Sequence, residues 1–173
     1  MASNRKTTHE LAATPTVFAE IRQPKSNYLA FPTVSSVRRT YIPFAFLTAD
    51  IVASNQIYVL PDATFYHFDV LTSSMHNAWI RYTCGRLKSD FRYSAGIVYN
   101  NFPWPDSFTD AQRQKIEAAA RAVLDTRAQF PDATLADLYN PLTMPPALVK
   151  AHQKLDAAVD AAYGKKNFKN DAE

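Results

Sequence analysis

Cys84-Gly85-Arg86-Leu87-Lys88-Ser89-Asp90-Phe91-Arg92-Tyr93-Ser94, running on to Tyr99-Asn100-Asn101-Phe102-Pro103-Trp104-Pro105, is where this chain passes from one kind of sequence to another. Lys88, Asp90 and Arg92 stand at alternate positions among aromatics. In an extended segment that spacing sends all three side chains to one face. A donor, an acceptor and a second donor on one face suit the edge of a base pair. Lys donates to guanine O6 and N7, Asp accepts from cytosine N4, and Arg forks onto guanine or holds a phosphate. A solvated, charged strand face has the same spacing, and spacing alone favours it.

Upstream of this stretch, residues 1–105 read as short strands punctuated by proline. Residues 16–21, 28–31, 40–44 and 57–60 are rich in β-branched and aromatic side chains, and Pro15, Pro24, Pro32, Pro43 and Pro61 separate them. Ser54-Asn55-Gln56 is a polar turn. Residues 74–87 carry Met75, Ala78, Trp79 and Tyr82 at helical spacing, with Gly85 as the stop, and 97–99 reads as a further strand.

Downstream the period becomes helical. Thr109-Asp110-Ala111-Gln112 is a capping box opening a helix to about Gln129, with Ile116, Ala120, Val123, Leu124 and Arg127 on one face. Pro131 ends it, and a short turn follows at 135–139. Pro145-Pro146 opens a second helix carrying Leu148, Ala151, His152, Leu155, Val159 and Ala162, stopped by Gly164. The two helices are expected to pack antiparallel, with a frayed tail at 165–173. The fold class is therefore α+β: a β-rich domain with a short helix over 1–105, then a small helical hairpin domain over 106–173.

Composition narrows the chemistry. The chain has 173 residues, enough for one core with an appendage. Its only cysteine is Cys84, which excludes an internal disulfide and a cysteine-based zinc site. With no apolar run of membrane-spanning length and no signal peptide, a soluble cytoplasmic protein is expected, with no membrane partner. Residues 1–105 hold ten Lys and Arg against six Asp and Glu, whereas 106–164 hold six against eight. A basic first part suits a polyanion. Only Gly85, Gly96 and Gly164 are glycines, so no phosphate-cradling loop can form. His9, His67, His76 and His152 lack ligand spacing and are read as buried or capping side chains. Asn101-Phe102-Pro103-Trp104 is similar to the Asn-Pro-Pro-aromatic loop with which DNA amino-methyltransferases hold a flipped base. Its second position is Phe, and no cofactor loop precedes it. Phe102 and Trp104 are read instead as a hydrophobic plug. No catalytic residue and no metal ligand are assigned.

Successive blocks of the chain resemble the MmeI-like restriction-and-modification enzymes. They are Pro15-Thr16-Val17-Phe18-Ala19-Glu20-Ile21-Arg22, Ser35-Ser36-Val37-Arg38-Arg39-Thr40-Tyr41-Ile42-Pro43 and Ser73-Ser74-Met75-His76-Asn77-Ala78-Trp79. Gly85-Arg86-Leu87, Tyr99-Asn100-Asn101-Phe102-Pro103-Trp104-Pro105 and Leu135-Ala136-Asp137-Leu138-Tyr139 follow in order. The resemblance covers about residues 5 to 164 and implies a DNA target recognition domain followed by a C-terminal helical domain. It further implies a longer parent with upstream endonuclease, connecting and methyltransferase domains, of which this chain is a fragment or a truncated product. The S-adenosylmethionine used to methylate adenine N6 would bind in that methyltransferase domain and not in this chain.

By position, the resemblance makes Lys88 and Asp90 linked determinants of one base pair. Arg92 and the turn residues Asn55 and Gln56 would read a neighbouring pair, with Thr33 at a further contact position. Arg38 and Arg39 suit phosphates, which position a protein without reading sequence. The expected partners are double-stranded DNA and the methyltransferase domain of the parent. A protein-interaction module without nucleic-acid binding stays open beside this, and an RNA-binding module is the weaker third option.

Overall fold

Tyr28, Leu29, Ala30 and Phe31 are all buried, and a short apolar run covered on both faces forms a central strand. In the computed structural model, which describes residues 5–17, 20–105, 109–164, 168 and 170–171, this run is β1 (Tyr28–Pro32). Two strands flank it antiparallel, β3 (Ala45–Leu47) and β4 (Ile57–Pro61), with Leu29 opposite both Phe46 and Leu60. Past Thr33 the chain leaves this sheet and enters another through β2 (Val34–Ser35). Its partners are β5 (Gly85–Leu87) and β6 (Asp90–Arg92), with β6 in the middle. A helix at the N-terminus, Lys6–Ala12 (α1), buries no residue.

Between the sheets' strands lie two helices, α2 (Phe65–Thr72) and α3 (Ser74–Thr83). Thr64 and His67 close a capping box on α2, the Thr64 amide donating to His67 Nδ1 at 3.1 Å. Ser73, with ψ 163°, breaks the two helices apart. Its hydroxyl donates to the Val70 carbonyl at 2.7 Å and its carbonyl accepts from Asn77 Nδ2 at 2.7 Å, so polar groups of Ser73 at the break are paired. A single π-helical turn, Ala95–Tyr99, precedes the crossing to the last part.

That part is α4 (Asp110–Ala128), α5 (Leu135–Leu138) and α6 (Pro146–Ala162). Thr109 and Gln112 form the capping box of α4, and Gly164 takes φ 79° after α6, where only glycine is free of steric cost. Gln112 at the start of α4 donates to the carbonyl of Ala161 at the end of α6, at 3.1 Å, so the pair runs antiparallel. Ile116, Ala120 and Val123 face Leu148, Leu155 and Val159 in one hydrophobic cluster that also takes in Leu29, Phe44, Phe68 and Phe91. The two halves of the sequence thus share a core.

A buried polar chain fastens the halves. Arg127 donates to the Phe44 carbonyl at 2.7 Å and to the Tyr139 hydroxyl from Nε at 2.8 Å and again from Nη2. With its lone pairs occupied, Tyr139 gives its own proton to His152 Nε2 at 2.7 Å, which makes that ring neutral. Tyr41 stacks on His152 with centroids 4.0 Å apart and donates to Asp156 at 2.6 Å. Asp156 also accepts from the Ser74 amide at 2.7 Å. Burial pushes His152 down to about 3, helped by the Arg127 charge, and burial pushes His76 down to about 4. Asp69 is fully buried on α2 with neither carboxylate oxygen hydrogen-bonded among the described residues, and burial, with Glu117 adding to it, raises its pKa to about 8.

Several expectations change. Of residues 16–21, Phe18 and Ala19 lie outside the described residues, and the others form turn and irregular backbone rather than a strand. The strand expected at 40–44 begins instead at Ala45, because Tyr41, Ile42 and Phe44 turn into the core and Ile42 donates its amide to Asn77 Oδ1 at 3.0 Å. The helix expected over 74–87 ends at Thr83, and Gly85 opens β5. Its buried face is His76, Asn77 and Ile80, while Tyr82 is exposed. Residues 97–99 belong to the π-turn, not to a strand. His67 caps, and His76 and His152 are buried, as expected, whereas His9 is exposed on α1. Phe102 packs edge-on against His76 with centroids 4.8 Å apart, and Trp104 lies tilted against Tyr66, at 5.5 Å. Pro103, between them, accepts from the α6-capping Tyr163 hydroxyl at 2.8 Å, so this plug does join the two parts. Most of the tail at 165–173 lies outside the described residues; Asp171 pairs with Arg81 at 2.6 Å. No helix among the described residues is long and apolar enough to cross a membrane.

Candidate nucleic-acid interface

Lys88 does not lie on a strand with Asp90 and Arg92. Leu87 pairs with Asp90, which leaves Lys88 and Ser89 as a two-residue hairpin turn. Lys88 has φ 56°, and among the described non-glycine residues only Asp62 shares the positive sign. A positive φ at the first central residue alone is the II′ pattern, where glycine is usual. A single continuous face was therefore the wrong geometry for the three. Asp90 and Arg92 do share a face of β6, with Phe91 between them buried on the other, and Lys88 stands beyond them at the tip.

Arg86 holds this tip, and sequence reasoning passed over it. Its guanidinium lies over the Phe91 ring, 4.3 Å from the centroid. It donates to the Ser89 carbonyl at 3.3 Å and to the Arg81 carbonyl at 3.2 Å. The second contact serves the last turn of α3, where carbonyls lack helical partners and a positive charge is favourable. The signal was available in Gly85-Arg86-Leu87, but only a hairpin register sets Arg86 opposite Phe91.

Thr33 brings the remaining reading candidates to this hairpin. Its amide donates to the Gln56 carbonyl at 2.9 Å, its hydroxyl lies 3.4 Å from Gln56 Oε1, and its carbonyl accepts from the Tyr93 amide at 2.9 Å. Asn55 and Gln56 are exposed in a tight turn, closed by the Ile57 amide donating to the Ser54 carbonyl at 3.0 Å. Val34 pairs with Arg92, so Arg92 stands beside Thr33. The Asp90 carboxylate accepts from the Val37 amide at 3.3 Å, which joins the hairpin to the loop bearing Arg38 and Arg39. Arg38 is exposed and Arg39 half-buried, and both line a cleft with Ser36 against Ala136, Asn140, Pro141 and Leu142.

Of the three glycines, Gly85 opens a strand, Gly96 lies in the π-turn and Gly164 ends a helix.

This arrangement is that of a target recognition module: residues 1–106 match the family model described as MmeI, target recognition domain, and residues 108–173 that described as MmeI, C-terminal domain. The chain belongs to this family. It is 44% identical over 171 residues to DNA methyltransferase A of Bacillus subtilis (strain 168), an alignment covering 99% of this chain and 19% of that protein. It superimposes with a TM-score of 0.91 on the Type IIL restriction-modification enzyme MmeI, solved in complex with DNA, at 45% identity over 98% of this chain and 23% of that one. The chain spans about a fifth of the length of these two relatives.

Proposed function

We propose that this chain is the sequence-reading module of an adenine-N6 DNA methyltransferase in a restriction-modification system, docking in the major groove of double-stranded DNA. The observation that carries this is the junction at Thr33, where the turn bearing Asn55 and Gln56 in one sheet meets the Arg92 end of the hairpin in the other, with Lys88 and Asp90 further along the same hairpin. Lys88 and Asp90 would share a G·C pair, one donating to guanine and the other accepting from cytosine, each contact discriminating by roughly 1–3 kcal/mol. Arg92, Asn55, Gln56 and Thr33 would meet neighbouring pairs, and Arg38 and Arg39 the phosphates. S-adenosylmethionine and the flipped adenine then belong to a methyltransferase domain of a longer parent, which is this module's partner within the cytoplasm.

A protein-docking role is favoured by one feature, an apolar groove of about 340 Å³ lined by Pro32, Leu47, Ile51, Val52, Ile57 and Leu135. Gel shifts with duplex DNA, duplex RNA and single strands at two salt concentrations separate these roles. Binding to duplex DNA that weakens steeply with salt supports the proposal. No preference for duplex DNA over the other nucleic acids sinks it.

A further inference from the structure

The cleft between the Ser36–Arg39 loop and the segment after α5 has a volume of about 390 Å³ and is built by both halves of the chain. Its first wall includes Arg38 and Arg39, neither of which has a side-chain hydrogen bond or ion pair among the described residues. The second wall is Ala136, Asn140, Pro141 and Leu142. No carboxylate lines the cleft. The nearest acidic residue along this wall, Asp137, is engaged at the α5 N-terminus, where it accepts from the Thr134 amide at 3.0 Å and the Thr134 hydroxyl at 2.5 Å.

Asn140 is held for a task its turn does not use up. Its Oδ1 accepts from the Leu142 amide at 3.0 Å, and its carbonyl accepts from Thr143 and Met144. With Oδ1 committed, the amide is oriented, and its two Nδ2 protons have no partner among the described residues. Two arginines and an oriented carboxamide donor lining one cleft, with no carboxylate among the lining residues, supply what an anion needs.

We infer that this cleft is a phosphodiester-binding site in which Asn140, from the C-terminal helical part, closes on a phosphate held by Arg38 and Arg39. The inference deepens the DNA-reading proposal by giving the helical part a direct contact with the duplex backbone. Such a contact adds affinity and register without adding sequence preference.

The substitution Asn140→Asp keeps the Oδ1 acceptor for Leu142 and exchanges the donor pair for a carboxylate. Ala118→Asp, on exposed α4, adds the same charge away from the cleft. In an NMR titration of the full chain with dimethyl phosphate, the Asn140 side-chain amide protons should shift saturably, and Asn140→Asp should abolish saturation at Arg38 and Arg39. Absence of saturable shifts in the unsubstituted chain overturns the site, whatever the chain does with DNA. In gel shifts on two duplexes of unrelated sequence, Asn140→Asp should weaken binding about tenfold on both, and Ala118→Asp less than twofold. A loss confined to one duplex overturns the phosphate role in favour of base contact. Saturable phosphodiester shifts with no duplex binding by the unsubstituted chain leave the site standing and sink the DNA-reading proposal instead.

Discussion

The carbonyl of Thr33 accepts from the Tyr93 amide at 2.9 Å, and this bond ties the residue that follows β1 in one sheet to the residue that follows β6 in the other. Residues separated by more than fifty positions thereby share one surface. That surface is only as well defined as the two turns that carry it.

Lys88 holds a backbone conformation that costs a side-chain-bearing residue about 1 kcal/mol and glycine almost nothing. Lys88→Gly should therefore raise the unfolding free energy by up to about 1 kcal/mol in urea titrations while reducing discrimination at one base pair. A variant that is both less stable and equally selective contradicts this use of the turn.

Arg86→Ala removes the contacts to the Ser89 and Arg81 carbonyls and to the Phe91 ring together. Selection from a randomised duplex library should show relaxed preference at the pair assigned to Lys88 and Asp90, with the pair assigned to Gln56 and Arg92 still selected. Uniform loss of preference at all positions would make Arg86 a stabilising residue alone.

Arg127 is buried with three donors engaged on Tyr139 and Phe44. Arg127→Ala leaves a buried carbonyl and a hydroxyl without donors, and unfolding in urea should register a loss of roughly 3 kcal/mol. A change below about 1 kcal/mol would show that the chain of bonds from Phe44 to His152 does not hold the halves together.

Asp69 binds its proton more tightly folded, near pH 8, than unfolded near its ordinary value of 3.8. Its contribution to stability is full below pH 3.8 and is lost as pH rises through 8. Asp69→Asn, which stays uncharged, should gain in melting temperature over the unsubstituted chain as pH goes from 5 to 9. His76 and His152 act in the opposite sense: lowered to about 4 and about 3, they contribute stability present above pH 6.5 and lost as pH falls through those values. A constant melting-temperature difference across pH 5–9 for Asp69→Asn would contradict the buried-carboxyl assignment.

The helical part was legible because its signals are local. Thr109 and Gln112, Pro146 and Gly164 each fix a terminus through their own chemistry, and the buried faces of α4 and α6 follow the helical period. Among the strands, β1 and β4 were visible as apolar runs. The hairpin was not, because Lys88-Ser89 lacks the Gly or Asn that marks a two-residue turn. In α2, Phe65-Tyr66-His67-Phe68 hid a helix inside β-forming residue types, and only the cap at Thr64 betrays it. Residues 97–99 misled in the same way, β-branched side chains being drawn into a π-turn that buries Val98. Each candidate reading residue was named from resemblance and spacing. The meeting of Asn55 and Gln56 with Arg92 was not legible, since it rests on main-chain bonds of Thr33 that no side-chain pattern encodes.

The most direct measurement exchanges Lys88 and Asp90 together for Glu and Arg and repeats the duplex-library selection. The enriched sequence should change at a single base pair, with the others retained. An enriched sequence identical to that of the unsubstituted chain at every position would show that the hairpin tip does not read bases.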